Sequence, residues 1–274
     1  MSLTVSEKRA AFRRLHDEGC FVLPNPWDVG SAIALKHFGF KALATTSAGM
    51  AWSMGRPDGA VSLDEVLLHL SSLAHATDLP LNADFENGFA DAPGDVAANV
   101  ALAIDTGVSG LSIEDYTGRP ERGLYPFELA VERVAAARAA IERSGADVVL
   151  TGRSEGFIRG APDLDETIRR LNAFAAAGAD CLYAPGLREE GQIRAVVEAV
   201  APAPVNVLSP GLPVATLARL GVRRISLGGA LAGAAWGEFL RATEEIAEKG
   251  TFSLLAKGGG GRVLNPIFAE AQKG

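Results

Sequence analysis

The sequence predicts an α/β protein, a (β/α)8 barrel of the TIM type with a C-terminal helical arm, and three observations carry that expectation. Eight short apolar runs recur along the chain. The stretches between them have helical period. Most of those stretches end in a glycine just ahead of the next run. The runs fall at 21–23, 42–45, 80–83, 110–113, 148–150, 181–183, 205–207 and 225–227. Near-continuous apolar character marks strands of a parallel sheet buried on both faces. Residues 63–75, 96–105, 130–143 and 166–176 repeat apolar side chains at every third and fourth position, as helices packed on a sheet do. Gly39, Gly107, Gly178 and Gly221 each sit between a helical segment and a strand, where a left-handed cap is needed. Repeated "helix, glycine, short turn, strand" is the joint of a βα unit, and eight units close into a barrel. An open doubly wound sheet is the alternative, but the GxGxxG expected after its first strand is missing.

The expected organisation is one domain over 1–274, with the barrel at about 18–250 and an arm at about 251–274. Four glycines, Gly258 to Gly261, precede apolar residues Val263, Leu264, Ile267 and Phe268. A hinge followed by an apolar segment suggests an arm that packs on another subunit, with a frayed end as the alternative.

Composition narrows the function classes. The net charge of -7 disfavours a phosphate backbone as partner, so no nucleic acid is expected. A small anionic substrate stays open, because local cations decide its binding. The two cysteines, Cys20 and Cys181, lie in apolar runs and read as buried, reduced thiols. The polar N-terminus lacks the apolar stretch of a signal peptide, and no run of about 18 apolar residues offers a membrane span, so a cytoplasmic protein is expected.

In such barrels the chemistry collects at the C-terminal ends of strands. After strand 3 the chain reads Ala83-Asp84-Phe85-Glu86-Asn87-Gly88-Phe89. On an extended segment, Asp84 and Glu86 point the same way, and two such carboxylates repel unless a cation joins them. After strand 4, Ile113-Glu114-Asp115 adds a third carboxylate. Acidic oxygens with no neighbouring His or Cys suit Mg²⁺ or Mn²⁺ rather than zinc. The alternative is that each acid caps the following helix. After strand 5, Thr151-Gly152-Arg153-Ser154-Glu155-Gly156 supplies an arginine for a substrate carboxylate or a developing enolate, unless it pairs with Glu155 or Glu114. After strand 2, the small residues of Ser47-Ala48-Gly49 let backbone N–H groups approach an anion. The turn Gly55-Arg56-Pro57-Asp58-Gly59 brings in another carboxylate. Asp28 reads as a cap. His16, His37, His69 and His75 all fall in helical segments, away from strand ends, which disfavours histidine acid–base catalysis.

The order Thr-Ser-x-Gly, Gly-x-Pro-Asp, Ala-Asp-x-Glu-x-Gly, Ile-Glu-Asp and Gly-Arg-x-Glu-Gly resembles the isocitrate lyase/phosphoenolpyruvate mutase superfamily over nearly the whole chain. The resemblance is closest to the branch labelled carboxyvinyl-carboxyphosphonate phosphorylmutase-like, which is also similar to oxaloacetate decarboxylases and 2,3-dimethylmalate lyases. It implies that Mg²⁺ chelates a 2-oxo or 2-hydroxy acid, held by Asp84, Glu86 and Glu114. It implies that Asp58 closes over the site, that Ser47, Ala48 and Gly49 hold the acid group, and that Arg153 contacts substrate. Glu155 and Asn206 are placed with the substrate-binding residues. A homotetramer with exchanged C-terminal helices is implied, with a homodimer as the smaller alternative.

One departure is informative. The gating loop after strand 4 reads Tyr116-Thr117-Gly118-Arg119-Pro120-Glu121-Arg122-Gly123-Leu124-Tyr125. It lacks the Lys-(Lys/Arg)-Cys-Gly-His motif of isocitrate and methylisocitrate lyases, and the lysine and asparagine of the phosphonopyruvate enzymes. Tyr116, Arg119, Arg122 and Tyr125 are its polar groups, and Tyr116 joins Arg153 and Asp58 in the catalytic set. The leading expectation is a Mg²⁺-dependent lyase that cleaves a C–C bond of a small (di)carboxylic acid through an enolate. C–P chemistry on a phosphonopyruvate-like substrate and a silent acid-binding barrel are the alternatives.

Overall fold

The computed structural model describes residues 3–209, 211–257 and 260–273. Eight strands form one parallel sheet: β1 Phe21–Leu23, β2 Leu43–Ala44, β3 Leu81–Asp84, β4 Gly110–Glu114, β5 Val149–Arg153, β6 Cys181–Tyr183, β7 Val205–Leu208 and β8 Arg224–Ser226. Each strand from β2 to β7 pairs with the next in sequence, and β8 pairs with β1. At the β1–β2 seam the Ala44 N–H donates to Pro24 O at 3.0 Å, which completes a (β/α)8 barrel. β3, β4 and β5 run further than the apolar pattern marks, so Asp84, Glu114 and Arg153 are the last residues of their strands.

Around the sheet lie α1 Val5–Arg14, α2 Val29–His37, α3 Ser47–Ser53, α4 Leu63–Ala76, α5 Pro93–Asp105, α6 Phe127–Ser144, α7 Leu164–Ala176, α8 Glu190–Ala199, α9 Val214–Arg219, α10 Ala230–Lys249 and α11 Gly260–Ala271. Their inward stripes, including Leu70, Leu73, Val100, Val134, Ile141 and Phe174, are buried against the outer face of the sheet. Each such side chain contributes about 1.5–3 kcal/mol by leaving water. Gly39, Gly107, Gly178 and Gly221 all adopt positive φ, as the joint pattern requires. Asp28 caps α2 by accepting from the Ser31 N–H at 2.6 Å.

Inside the barrel Phe12 of α1 packs near Leu23, Ala44 and Val149. Polar side chains share the interior. Arg224, buried, donates to Asn206 Oδ1 at 2.9 Å and to Thr151 Oγ1 at 3.0 Å. His16 lies 3.2 Å from the same guanidinium, and burial and then that charge push its pKa down to about 3. It is therefore neutral, with Nδ1 placed to donate to Phe12 O. Cys181 is buried as expected, whereas Cys20 is half-buried. α11 lies against α2 of its own chain, with Phe268 beside Gly30. Gly258 and Gly259 of the glycine hinge lie outside the described residues. Among the described residues no helix is long and apolar enough to cross a membrane.

Candidate active site

Three adjacent strand ends build the site. Arg153, at the end of β5, is its centre. Its Nη1 lies 3.1 Å from Asp84 of β3, its Nε lies 3.4 Å from Glu114 of β4, and Nε also bonds Glu155. The register explains this meeting, because Glu114 is paired with Arg153 across β4 and β5. Asp84 is further fixed by the backbone. Its Oδ2 accepts from the Ser47 N–H at 3.0 Å, and its own N–H donates to Thr45 Oγ1 at 2.8 Å.

Glu86 reaches the site by a route the spacing does not predict. β3 ends at Asp84, and Phe85 turns into the core, fully buried and edge-on to Phe89. Glu86 then takes a left-handed φ of 47° in a turn closed by the Gly88 N–H on Phe85 O at 2.8 Å. Asp84 and Glu86 are therefore brought to one place by a turn and not by an extended segment. A non-glycine residue in this region costs about 1–3 kcal/mol, which the surrounding packing must outweigh.

The neighbouring acid of the Ile113-Glu114-Asp115 motif has a different task. Asp115 is buried and accepts from the Glu155 N–H at 2.8 Å, from Ser154 Oγ at 3.2 Å and from Arg170 Nη1 at 3.1 Å. It thereby holds the loop that follows Arg153. Glu155 is fully buried. It bonds Arg153 through Oε1 and Arg159 through Oε2, the latter at 3.0 Å.

Above the strand ends lies a cavity of about 400 Å³, lined among others by Ser47, Asp58, Glu86, Asn87, Glu114, Tyr116, Arg153 and Arg159. That volume suits a small molecule with its waters. Its wall includes Gly118 and Pro120 of the loop after β4. This loop is pinned. Tyr116 bridges to Leu124, and Arg119 and Arg122 each reach Asp91 at 3.1 Å. The Tyr125 hydroxyl donates to Asp91 at 2.5 Å and accepts from Asn87 Nδ2 at 3.1 Å.

The electrostatics are those of a site short of positive charge. Burial, then Asp84 and Asp58, push Glu86 up to about 7. Burial also pushes Glu114 well above the carboxylate range, although Arg153 opposes it. Arg153 is held more firmly protonated by Glu155, Glu114 and Asp84 despite its burial. One guanidinium does not neutralise this cluster, and a divalent cation would. Among the described residues, no three His, Cys, Asp or Glu side chains converge closely enough to ligate one ion together. The donors that Asp84, Glu86 and Glu114 offer are all carboxylate oxygens, the hard ligands that Mg²⁺ takes alongside several waters. Asp84, Glu86 and Glu114 fit such an ion, some of them through water.

The site residues expected from sequence separate into three groups. Glu86, Glu114, Arg153, Asp58, Tyr116 and Ser47 meet at the cavity, and Asp84 lies beside it, paired with Arg153 and lining a smaller pocket with Ser47 and Glu86. Ala48 and Gly49 lie in the first turn of α3, where the Gly49 N–H is taken by Thr46 Oγ1 at 3.2 Å. A Cβ on Gly49 would come within 2.7 Å of Thr46 Cγ2 and 3.0 Å of Trp27 Cβ, so packing explains that glycine. Glu155 and Asn206 are buried and do not line the cavity. Glu155 is committed to two arginines, and the Asn206 amide bonds Ser226 Oγ and Arg224. Asn87 and Arg159 line the cavity but carry no sequence signal beyond their nearness to strand ends.

Residues 12–247 match the family described as phosphoenolpyruvate phosphomutase. A Burkholderia cenocepacia J2315 structure provisionally described as a lyase/mutase is 48% identical, covers 97% of each chain and superposes with a TM-score of 0.94. The 2-methylisocitrate lyase of Escherichia coli K12 is 31% identical over 178 residues, 62% of this chain and 58% of that one. The oxaloacetate decarboxylase of Paraburkholderia xenovorans LB400 is 29% identical over 230 residues, 80% of this chain and 74% of that one. Relatives of this kind are lyases and mutases. The chain belongs to the phosphoenolpyruvate phosphomutase family, within the isocitrate lyase/PEP mutase superfamily.

Proposed function

We propose that this protein is a Mg²⁺-dependent lyase that cleaves a C–C bond of a small 2-oxo or 2-hydroxy (di)carboxylic acid through an enolate. The observation that carries the reading is the cluster of half-buried Asp84 and Glu86 and buried Glu114 around Arg153, beside a cavity sized for a small acid. When bound, Mg²⁺ supplies Lewis-acid polarisation of the substrate oxygens. The chain's own residues do the rest. Arg153, fixed by three carboxylates, presents a permanent cation to charge that develops on the substrate, without reorganising as the reaction proceeds. The first turn of α3 retains the Ala48 N–H for an acid group, since the N–H groups of Ser47 and Gly49 are already used. Tyr116 and the pinned loop exclude water from above. Loss of CO2 from an oxaloacetate-type acid, whose distal carboxylate is β to the ketone, leaves the enolate directly and needs no strong base, which agrees with a loop that has no cysteine, histidine or lysine.

A second reading, C–P chemistry on phosphonopyruvate, rests on the family description. It would draw on Arg119 and Arg122, and both are paired with Asp91. The test is turnover of oxaloacetate, 2,3-dimethylmalate and phosphonopyruvate by the purified protein, with Mg²⁺ and with EDTA, beside Asp84→Ala. Metal-dependent pyruvate formation from a carboxylic substrate, lost in the variant, is expected. Turnover of phosphonopyruvate alone would favour the second reading. No turnover of any of the three, with Mg²⁺ still binding, would leave a silent acid-binding barrel.

A further inference from the structure

Four arginines stand near the cavity, and all four are paired with carboxylates. Arg153 neutralises the strand-end carboxylates, while Arg119 and Arg122 hold Asp91. Arg159 differs. It follows a short 3-10 turn (Gly156–Ile158) after β5, and its backbone N–H returns to Glu155 O at 3.1 Å. Its Nε bonds Glu155 Oε2, and its guanidinium lies 3.8 Å from the centre of the Tyr116 ring. These contacts fix the head of the side chain. They leave both terminal nitrogens without an acceptor among the described residues. The side chain is 34% exposed, and it lines the same cavity as Arg153.

Resting on the reading above, we infer that Arg159 is a specificity-determining residue that binds the distal carboxylate of a dicarboxylic substrate. Glu155 is the spacer. Its two oxygens hold Arg153 on one side and Arg159 on the other, so a single buried carboxylate sets the separation of the two cations. A substrate with one acid group at the Arg153 end and a second further along the chain meets both. The planar fork of a guanidinium accepts a carboxylate in two parallel hydrogen bonds, and the Tyr116 ring holds that plane. Glu155 does not cancel the subsite, because its charge is shared between two arginines. A monocarboxylic acid would leave Arg159 unused. The anchor serves best where the distal carboxylate stays on its fragment, since a cation that grips a departing carboxylate stabilises the ground state over neutral CO2.

The test is calorimetric binding of two non-reacting probes, malate and lactate, to the full chain in Mg²⁺. Lactate keeps the 2-hydroxy acid end and lacks the distal carboxylate. The unaltered protein is expected to bind malate about ten-fold or more tightly than lactate, the worth of a charge-assisted bond. In Arg159→Gln that preference falls below about three-fold through weaker malate binding alone, with lactate unchanged. Arg159→Lys keeps the charge but loses the fork, and an intermediate preference is expected; it also serves if the glutamine variant melts early. Equal weakening of both probes, or unchanged malate binding, overturns the inference. If the unaltered protein binds neither probe, the proposed function itself fails, and the inference with it.

Discussion

Replacing Glu86 with glutamine should make the metal-free protein more stable, although it removes an acid at the heart of the candidate site. Burial and two neighbouring aspartates hold Glu86 up to about 7, against 4.5 for an ordinary glutamate. For an acid raised in this way, the native state keeps its proton where the unfolded chain has lost it. Below about pH 4.5 both states are protonated and the group is neutral to stability. As pH climbs from 4.5 to 7, the unfolded state is progressively favoured, and above 7 the full penalty stands. Its size is about 3 kcal/mol, taken at 1.36 kcal/mol per pH unit. For a barrel of this length that is roughly 6–12 °C in Tm. Thermal melts of the unaltered protein and Glu86→Gln in EDTA should therefore coincide near pH 4.5 and separate by pH 8, with the variant higher. Mg²⁺ should raise the unaltered protein and lift the variant less, because the ionised carboxylate is what the cation rewards. A variant that melts lower at pH 8, or a gap of the same size at both pH values, would refute the reasoning.

Other perturbations probe the rest of the scaffold. Arg153→Gln strands three carboxylates and should cut kcat by about 10²-fold or more, while destabilising the metal-free protein by about 3–5 kcal/mol, as steady-state kinetics and urea melts would show. Gly110→Ala places a Cβ 2.6 Å from Phe12 and 2.7 Å from Asn82 inside the barrel, so a loss of about 1–3 kcal/mol is expected in urea unfolding, with α1 displaced. Phe239, Leu240, Val263 and Leu264 are exposed on α10 and α11, and light scattering should find a homotetramer or homodimer that Phe239→Glu with Leu240→Glu dissociates.

The sequence alone determined the barrel and which carboxylates and arginine stand at its mouth. Parallel strands buried on both faces have to be apolar, helices on their outer surface have to be amphipathic, and the joints between them call for glycine, so each unit is written locally. Asp84, Glu114 and Arg153 could be found because position at a strand end is itself a local property. The departures in the loop after β4 were equally visible, since they are residue identities. Tertiary structure decided what depends on closure of the barrel, which joins segments far apart in the chain. The turn at Glu86 follows from Phe85 entering the core. The sharing of Glu155 between Arg153 and Arg159, and the use of the Asn206 amide by Arg224 and Ser226, depend on which strands become neighbours. Asp91 engages Arg119 and Arg122 only because the loops after β3 and β4 rise side by side. Strand position is set within a few residues of sequence, whereas the pairing of charges above the strands is set by how eight units pack around one axis.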